Sequence, residues 1–275
     1  MTLPRGRPLT LLAAAIVVVN GFFPAVWILL TSLKTETELV SKPITYWPHN
    51  PTLQNYVQAF TDQPLLKYLG NSLAVALSAT VFSLLVSALA AYAIARLNLK
   101  NRQLILTCIV ASSMFPLVPL LVPIFQTMRS LGLLNTYTAL VLPYTVLNLP
   151  VCTLVLVSFF QSIPKDLENA AMIDGCTRLG ALWRVVVPLA APGVFTAGIL
   201  AFVNAWDEFL LALSLNASAS MRTLPVGITL YQGEFTFPWP IISAALIVAI
   251  VPIAVLIAIF QERVVGGLTQ GGLKG

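Results

Sequence analysis

The sequence predicts an all-α, polytopic membrane protein with six transmembrane helices and both termini in the cytoplasm. Three observations carry that expectation. Only 9% of the 275 residues are charged and 58% are hydrophobic, with a mean hydropathy of +0.89. A soluble domain carries about 25% charged residues, so this chain cannot cover a water-facing surface. The apolar residues fall in blocks, and six blocks reach the roughly 20 residues that a helix needs to cross hydrocarbon, with no Lys, Arg, Asp or Glu inside them. Finally, the cations between blocks are unequally distributed, which sets the direction of insertion.

The first block, Leu9–Leu33, follows Arg5 and Arg7 as a signal peptide would. It is too long for a signal's apolar region and no small-residue cleavage site precedes a polar start, so it reads as a retained anchor. In the connection after it, Leu53, Tyr56, Val57 and Phe60 fall at i, i+3, i+4 and i+7. That spacing predicts a short amphipathic helix lying on its own protein or on the membrane surface, or docking an external partner. The second block is Leu69–Ala95. The third, Leu104–Met128, carries Pro116, Pro119 and Pro123 and should kink over Met114–Pro123, since a membrane helix can tolerate breaks that neighbours or a cavity satisfy. Tyr137–Phe160, Pro188–Trp206 and Pro240–Phe260 complete the set, as one domain over residues 1–275. Six crossings put both termini on one side. With that side cytoplasmic, ten of the 15 Lys and Arg fall inside, and Lys34, Lys42, Lys67, Arg129 and Arg222 fall outside. That is the sign the positive-inside rule requires.

Several functions are excluded or left without support. His49 sits in a Pro-rich loop with no second ligand nearby, and Cys108, Cys152 and Cys176 lack C-x-x-C spacing, so neither a metal site nor a disulfide framework is expected. No G-x-x-x-x-G-K-[ST], G-x-S-x-G or H-E-x-x-H occurs, which argues against phosphate cradling, an esterase elbow and a zinc protease. The net charge of +5 is scattered over segment ends with no basic face, so nucleic acid is not an expected partner.

Between the fourth and fifth blocks lies Gln161–Val187, longer than a mere connection requires. Pro164, Asp166 and Glu168 suit the start of a helix, where proline fits and carboxylates face the positive dipole end. Gly175 can stop the helix with a positive φ. Leu167, Ala170, Ala171 and Asp174 share one face, small enough for another backbone to approach closely.

This run, Glu168-x-Ala170-Ala171-x-x-x-Gly175 with Asp174 before the glycine, resembles the EAA motif of importer-type ABC permeases. Asn169 and Cys176 depart from the usual alanines, and both are small. The likeness extends through Ala90-Ala91-Tyr92-Ala93-Ile94-Ala95-Arg96-Leu97, Leu131-Gly132-Leu133-Leu134-Asn135-Thr136, Ala205-Trp206-Asp207-Glu208-Phe209, Arg222-Thr223-Leu224-Pro225-Val226-Gly227 and the Gly-rich tail from Gly266. It is similar to the carbohydrate branch, in particular to the second membrane subunit of maltose-type sugar importers. The resemblance implies a multi-pass subunit in the plasma (inner) membrane of a bacterium or archaeon. It implies a sister permease, two copies of an ATPase subunit and an extracytoplasmic sugar-binding protein as partners, within the lipid bilayer. ATP and Mg would be bound by the ATPase subunits and no cofactor by this chain, which would not be an enzyme itself. Glu168, Ala170, Ala171, Asp174, Gly175 and Gly180 would form the coupling helix seated on the ATPase, and Thr269, Gly271, Gly272 and Lys274 would reach the ATPase dimer interface.

Asp207 and Glu208 stand at the end of an apolar block, where a charge must meet water or sit at the rim, since a charge at the bilayer centre costs about 2.5–3.5 kcal/mol. From Pro188 a helix would rise roughly 28 Å to Asp207 at 1.5 Å per residue, favouring the outer end; a later start near Gly193 would place the pair deeper, beside a substrate path. Asn148, Asn204 and Trp206 are further candidates for that path. Adjacent acids do not face each other on a helix, so they make a poor acid–base pair. A secondary transporter or channel is the alternative; it predicts ionisable residues within the spans, and the blocks hold none. The expected cargo is a di- or oligosaccharide or glycosylated osmolyte, with a small neutral sugar favoured.

Overall fold

A computed structural model describes the backbone of residues 7–233 and 236–272 and the side chains of residues 10–233 and 236–260. Every secondary-structure element among the described residues is a helix. Four are long and apolar enough to cross a membrane unbroken: α1 (Arg7–Ser32), α4 (Leu65–Arg96), α7 (Tyr137–Ser162) and α14 (Trp239–Gly272). Two further candidates are bent pairs, α5 (Arg102–Ser113) with α6 (Leu117–Ser130) at 90°, and the segment Arg178–Leu189 with α11 (Ala191–Trp206) at 83°. Short helices complete the chain: α2 (Glu36–Leu39), α3 (Gln54–Asp62), α8 (Lys165–Ile173), α9 (Arg178–Ala181), α10 (Val187–Leu189), α12 (Leu210–Leu215) and α13 (Leu224–Thr229).

Both bends have chemical causes. Pro116 is extended (φ −68°, ψ 141°) and stands at the start of α6, because proline has no N–H to continue the ladder and drives the preceding residue out of the helical region. The second bend departs from the expected straight span over Pro188–Trp206. Leu182–Val186 winds as a π-turn, with the Val187 N–H bonding Leu182 O five residues back. Ala190 then breaks the helix, and Pro192 opens α11. A straight α11 of 16 residues rises only about 24 Å.

The chain forms two compact units, residues 1–67 with 227–252 and residues 68–226 with 253–275. In the first, α3 is tied to the end of α1: the Asn55 amide donates to Ser32 O and Lys34 O at 2.8 Å each, and the Tyr56 and Ser32 hydroxyls are 2.8 Å apart. The predicted helix is present, but Asn55 and Ala59 are its buried residues. Leu53, Val57 and Phe60 are exposed, so the apolar stripe is turned away from this chain's own fold. Residues 10–24 of α1 are exposed on every side, as suits an apolar helix sheathed by lipid or another subunit.

In the second unit α7 packs along α11, with α4 joining a core of small side chains: Ala88, Ala91, Ala95, Ala197 and Ala201 around Leu156, Phe160, Leu182 and Val186. Small residues let membrane helices approach closely where the hydrophobic effect cannot drive association. One close approach is at Gly193, where a Cβ would lie 2.3–2.8 Å from Cγ, Cδ2 and Cβ of Phe159.

Candidate coupling site and polar path

The segment after α7 is built as an ordered handle. Thr136 caps the start of α7, its hydroxyl accepting from the Ala139 N–H, and Ile163 ends that helix. Pro164 then opens α8 in extended geometry. The stop is a Schellman motif: Gly175 has φ +91°, its N–H bonds Met172 O at 3.1 Å, and the Cys176 N–H bonds Ala171 O at 2.9 Å. Thr177 caps α9 by accepting from the Gly180 N–H at 3.1 Å. A side chain at Gly180 would meet that same hydroxyl at 3.3 Å. Leu182 and Val186 of the π-turn are fully buried and anchor the segment in the core shared by α4 and α7.

The structure brings Ala170, Ala171, Asp174 and Gly175 to one small helix, as the spacing predicts. Leu167, Ala170 and Asp174 are exposed there and Ala171 half-buried. Glu168 faces the other way. It is buried, its Oε1 accepts from the Tyr92 hydroxyl, and its Oε2 lies 3.2 Å from Arg96 Nε. That N–H is not aimed at the carboxylate, so the Arg96 attraction is a close ion pair rather than a directed hydrogen bond. Arg96 Nη2 donates to Ile163 O at 3.0 Å. Tyr92 and Arg96 are one turn apart at the end of α4, and sequence reasoning singled out neither; their i, i+4 spacing at the end of an apolar block was the available signal. Beside them opens a cavity of about 430 Å³ lined by Arg96, Lys165, Glu168, Asn169, Met172 and Arg178.

The candidate path residues part company. Asn148 is buried, donating to Tyr144 O at 2.9 Å and Ala201 O at 3.4 Å, and accepts from the exposed Asn204 at 3.2 Å. Trp206 is 3% exposed and stacked on Phe202 with centroids 5.5 Å apart, so its ring has no open face. Asp207 is exposed and ends α11 through its backbone. Glu208 is occupied structurally: its carboxylate accepts from Leu211 N at 2.8 Å, Ala212 N at 3.1 Å and the Tyr144 hydroxyl at 2.5 Å, capping α12. Asn204 and Asp207 are therefore the exposed members of the set. No group of three or more His, Cys, Asp or Glu side chains able to hold a metal exists among the described residues. Thr269, Gly271 and Gly272 lie in the backbone of α14 beyond the described side chains, and Lys274 lies outside the described residues.

Residues 83–270 match the family described as the binding-protein-dependent transport system inner membrane component. The chain belongs to this family. It is thus a membrane component of a transport complex, a multi-pass permease rather than an ATPase. It is 73% identical to the sulfoquinovosyl glycerol transport system permease protein of Agrobacterium fabrum, over 98% of this chain and 95% of that one. It is 37% identical to the trehalose/maltose transport system permease protein of Thermococcus litoralis (98% and 97% covered) and 41% identical to the trehalose transport system permease protein of Mycobacterium tuberculosis (94% and 95%). The fold matches a crystal structure of a bacterial ABC transporter involved in import of the acidic polysaccharide alginate, with TM-score 0.80 at 19% identity, covering 95% of this chain and 98% of that one. A second alginate transporter structure, in complex with its pentasaccharide-bound periplasmic protein, gives TM-score 0.65 at 16% identity, with 94% and 96% covered.

Proposed function

We propose that this permease forms half of the translocation path of an ATP-driven sugar importer, and that its cargo is sulfoquinovosyl glycerol or a closely similar sugar glycoside. The 73% identity over nearly the full length to a permease named for that compound supports the cargo, and replaces the neutral sugar that sequence alone favoured. The chain acts as one permease domain over residues 1–275 with six spans, each bent pair counting as one, and both termini cytoplasmic. It pairs with a sister permease. Two ATPase subunits carrying ATP and Mg seat on the cytoplasmic segments, and an extracytoplasmic binding protein delivers the sugar.

The observation that carries this reading is α8: a helix stopped by a Schellman glycine, with an exposed small-residue face, in a segment rooted in the core. Closure of the ATPases would push on α8, and loaded binding protein would favour that closure in return, since coupling between sites is reciprocal. Thr269, Gly271, Gly272 and Lys274 would meet the ATPase dimer. The short α11, which would rise only about 24 Å, and the exposure of Asn204 and Asp207 support a place for these two side chains on the sugar's route. Co-expression with the ATPase and sister chains tests the assembly, and uptake of sulfoquinovosyl glycerol into proteoliposomes tests the cargo. Asp174→Arg on the docking face should abolish ATPase stimulation by loaded binding protein; full stimulation would remove α8 from the coupling path.

A further inference from the structure

The residue that names the motif is held by its own chain. Leu167, Ala170 and Asp174 are exposed on α8, whereas the Glu168 side chain is only 9% exposed and points back into its own chain. There it meets Tyr92 and Arg96 from the last turn of α4, and the Arg96 side chain is itself 3% exposed. The same guanidinium donates to Ile163 O, the terminal carbonyl of α7. One arginine thus joins the ends of α4 and α7 to the first turn of α8.

From this geometry we infer that Glu168 is a positioning residue: with Arg96 and Tyr92 it forms a latch that fastens α8 to the end of α4, so that force applied to the exposed face of α8 is delivered to the 32-residue span. The inference rests on the proposed role of α8 as the coupling element. The two cations left facing the cavity, Lys165 and Arg178, have no such tie to Glu168 and remain for acidic groups of the partner.

The test uses the assembled complex. A fluorophore is placed at Lys67→Cys, an exposed position near the far end of α4, with Cys108 and Cys176 replaced by Ala and the buried Cys152 kept. The response to Mg and ATP is then recorded, a readout that needs no sugar. Arg96→Glu and Glu168→Arg alone should retain the ATPase subunits yet lose about tenfold of the response, the scale expected for a hydrogen-bonded charge. The exchanged pair R96E/E168R should regain at least half of it. Tyr92→Phe, which removes one hydroxyl and preserves packing, should lose a few-fold.

An exchanged pair no better than the worse single variant, in assembly or in response, overturns the latch. So does Glu168→Gln shedding the ATPase subunits while Arg96→Glu keeps them, which would make Glu168 the docking contact after all. Failure of the parent complex to hold any ATPase subunit would instead defeat the importer reading, and the latch with it.

Discussion

Gly193 offers the sharpest measurement of how tightly α7 and α11 are fitted. A methyl group there would stand 2.3 Å from Phe159 Cγ, 2.4 Å from Cδ2 and 2.8 Å from Cβ. Rotating the ring could relieve the first two contacts, but the third is fixed to the α7 backbone, so the helices themselves must separate. Overpacking of this kind costs about 1–3 kcal/mol, and the Cβ contact places Gly193→Ala at the upper end. Replacing glycine by alanine within a helix returns up to about 1 kcal/mol, leaving a net loss of about 2 kcal/mol. The assay is the apparent melting temperature of the purified complex in detergent, at one scan rate, for the parent, Gly193→Ala, Phe159→Leu and the double variant. A drop of several degrees is expected for Gly193→Ala, with at least half recovered in the double, because a leucine removes part of the obstruction. An unchanged melting temperature, or losses that simply add in the double variant, would refute the close approach.

Gly175→Ala should cost about 1–2 kcal/mol through φ alone, since nothing lies within 4 Å of the added methyl; amide exchange in α8 should accelerate about tenfold, with Gly175→Asn falling between. Glu208→Ala should destabilise by about 2 kcal/mol or more by stranding the Leu211 and Ala212 amides, whereas Asp207→Ala should stay within about 0.5 kcal/mol and act on uptake instead; melting and transport measured on the same variants separate the two. The Glu38 carboxyl is held below its ordinary 4.5, chiefly by the His49 N–H at 2.9 Å and also by the Thr45 hydroxyl. A depressed carboxylate stabilises its loop fully above the unfolded value, and that contribution is lost as pH falls through the folded one. Trp47 fluorescence should therefore change below about pH 4.5 and lose this transition in Glu38→Gln.

Much of the fold was legible because it rests on composition and punctuation. The apolar blocks over Leu69–Ala95 and Tyr137–Phe160 fall within α4 and α7, and the three prolines of the third block mark a helix that does break, at Pro116. Gly175 ends α8 as its position predicts, because a positive φ has a sequence signature. The misses share a different cause. The π-turn at Leu182–Val186 has no residue that announces it, and Pro188 and Pro192 near the break at Ala190 are each tolerated near helix starts, so neither alone marks a bend. On α3 the helix was legible, but the buried amide of Asn55 with its two carbonyl partners was not. The partners of Glu168 and Glu208 could not be seen in the sequence because they lie far off in the chain, 76 residues for Tyr92 and 64 for Tyr144. Periodicity reports which face is apolar and is silent on which distant polar group answers a charge.

These local facts combine into a mechanical argument about where the chain is stiff and where it can yield. The ends of α4 and α7 share a core of alanines with Leu182 and Val186, and Arg96 ties the same two ends to α8. Filled to this density, such a block resists continuous deformation. By contrast, α5–α6 at Pro116 is an interruption in the backbone ladder, where rotation sacrifices few hydrogen bonds. A push on α8 would then move α4, α7 and α11 as one piece and be taken up at the bend between α5 and α6. Because α11 shares that core through Ala197 and Ala201 and packs on Phe159 at Gly193, Asn204 and Asp207 at its far end would be carried with α4 and α7 without unfolding a single span.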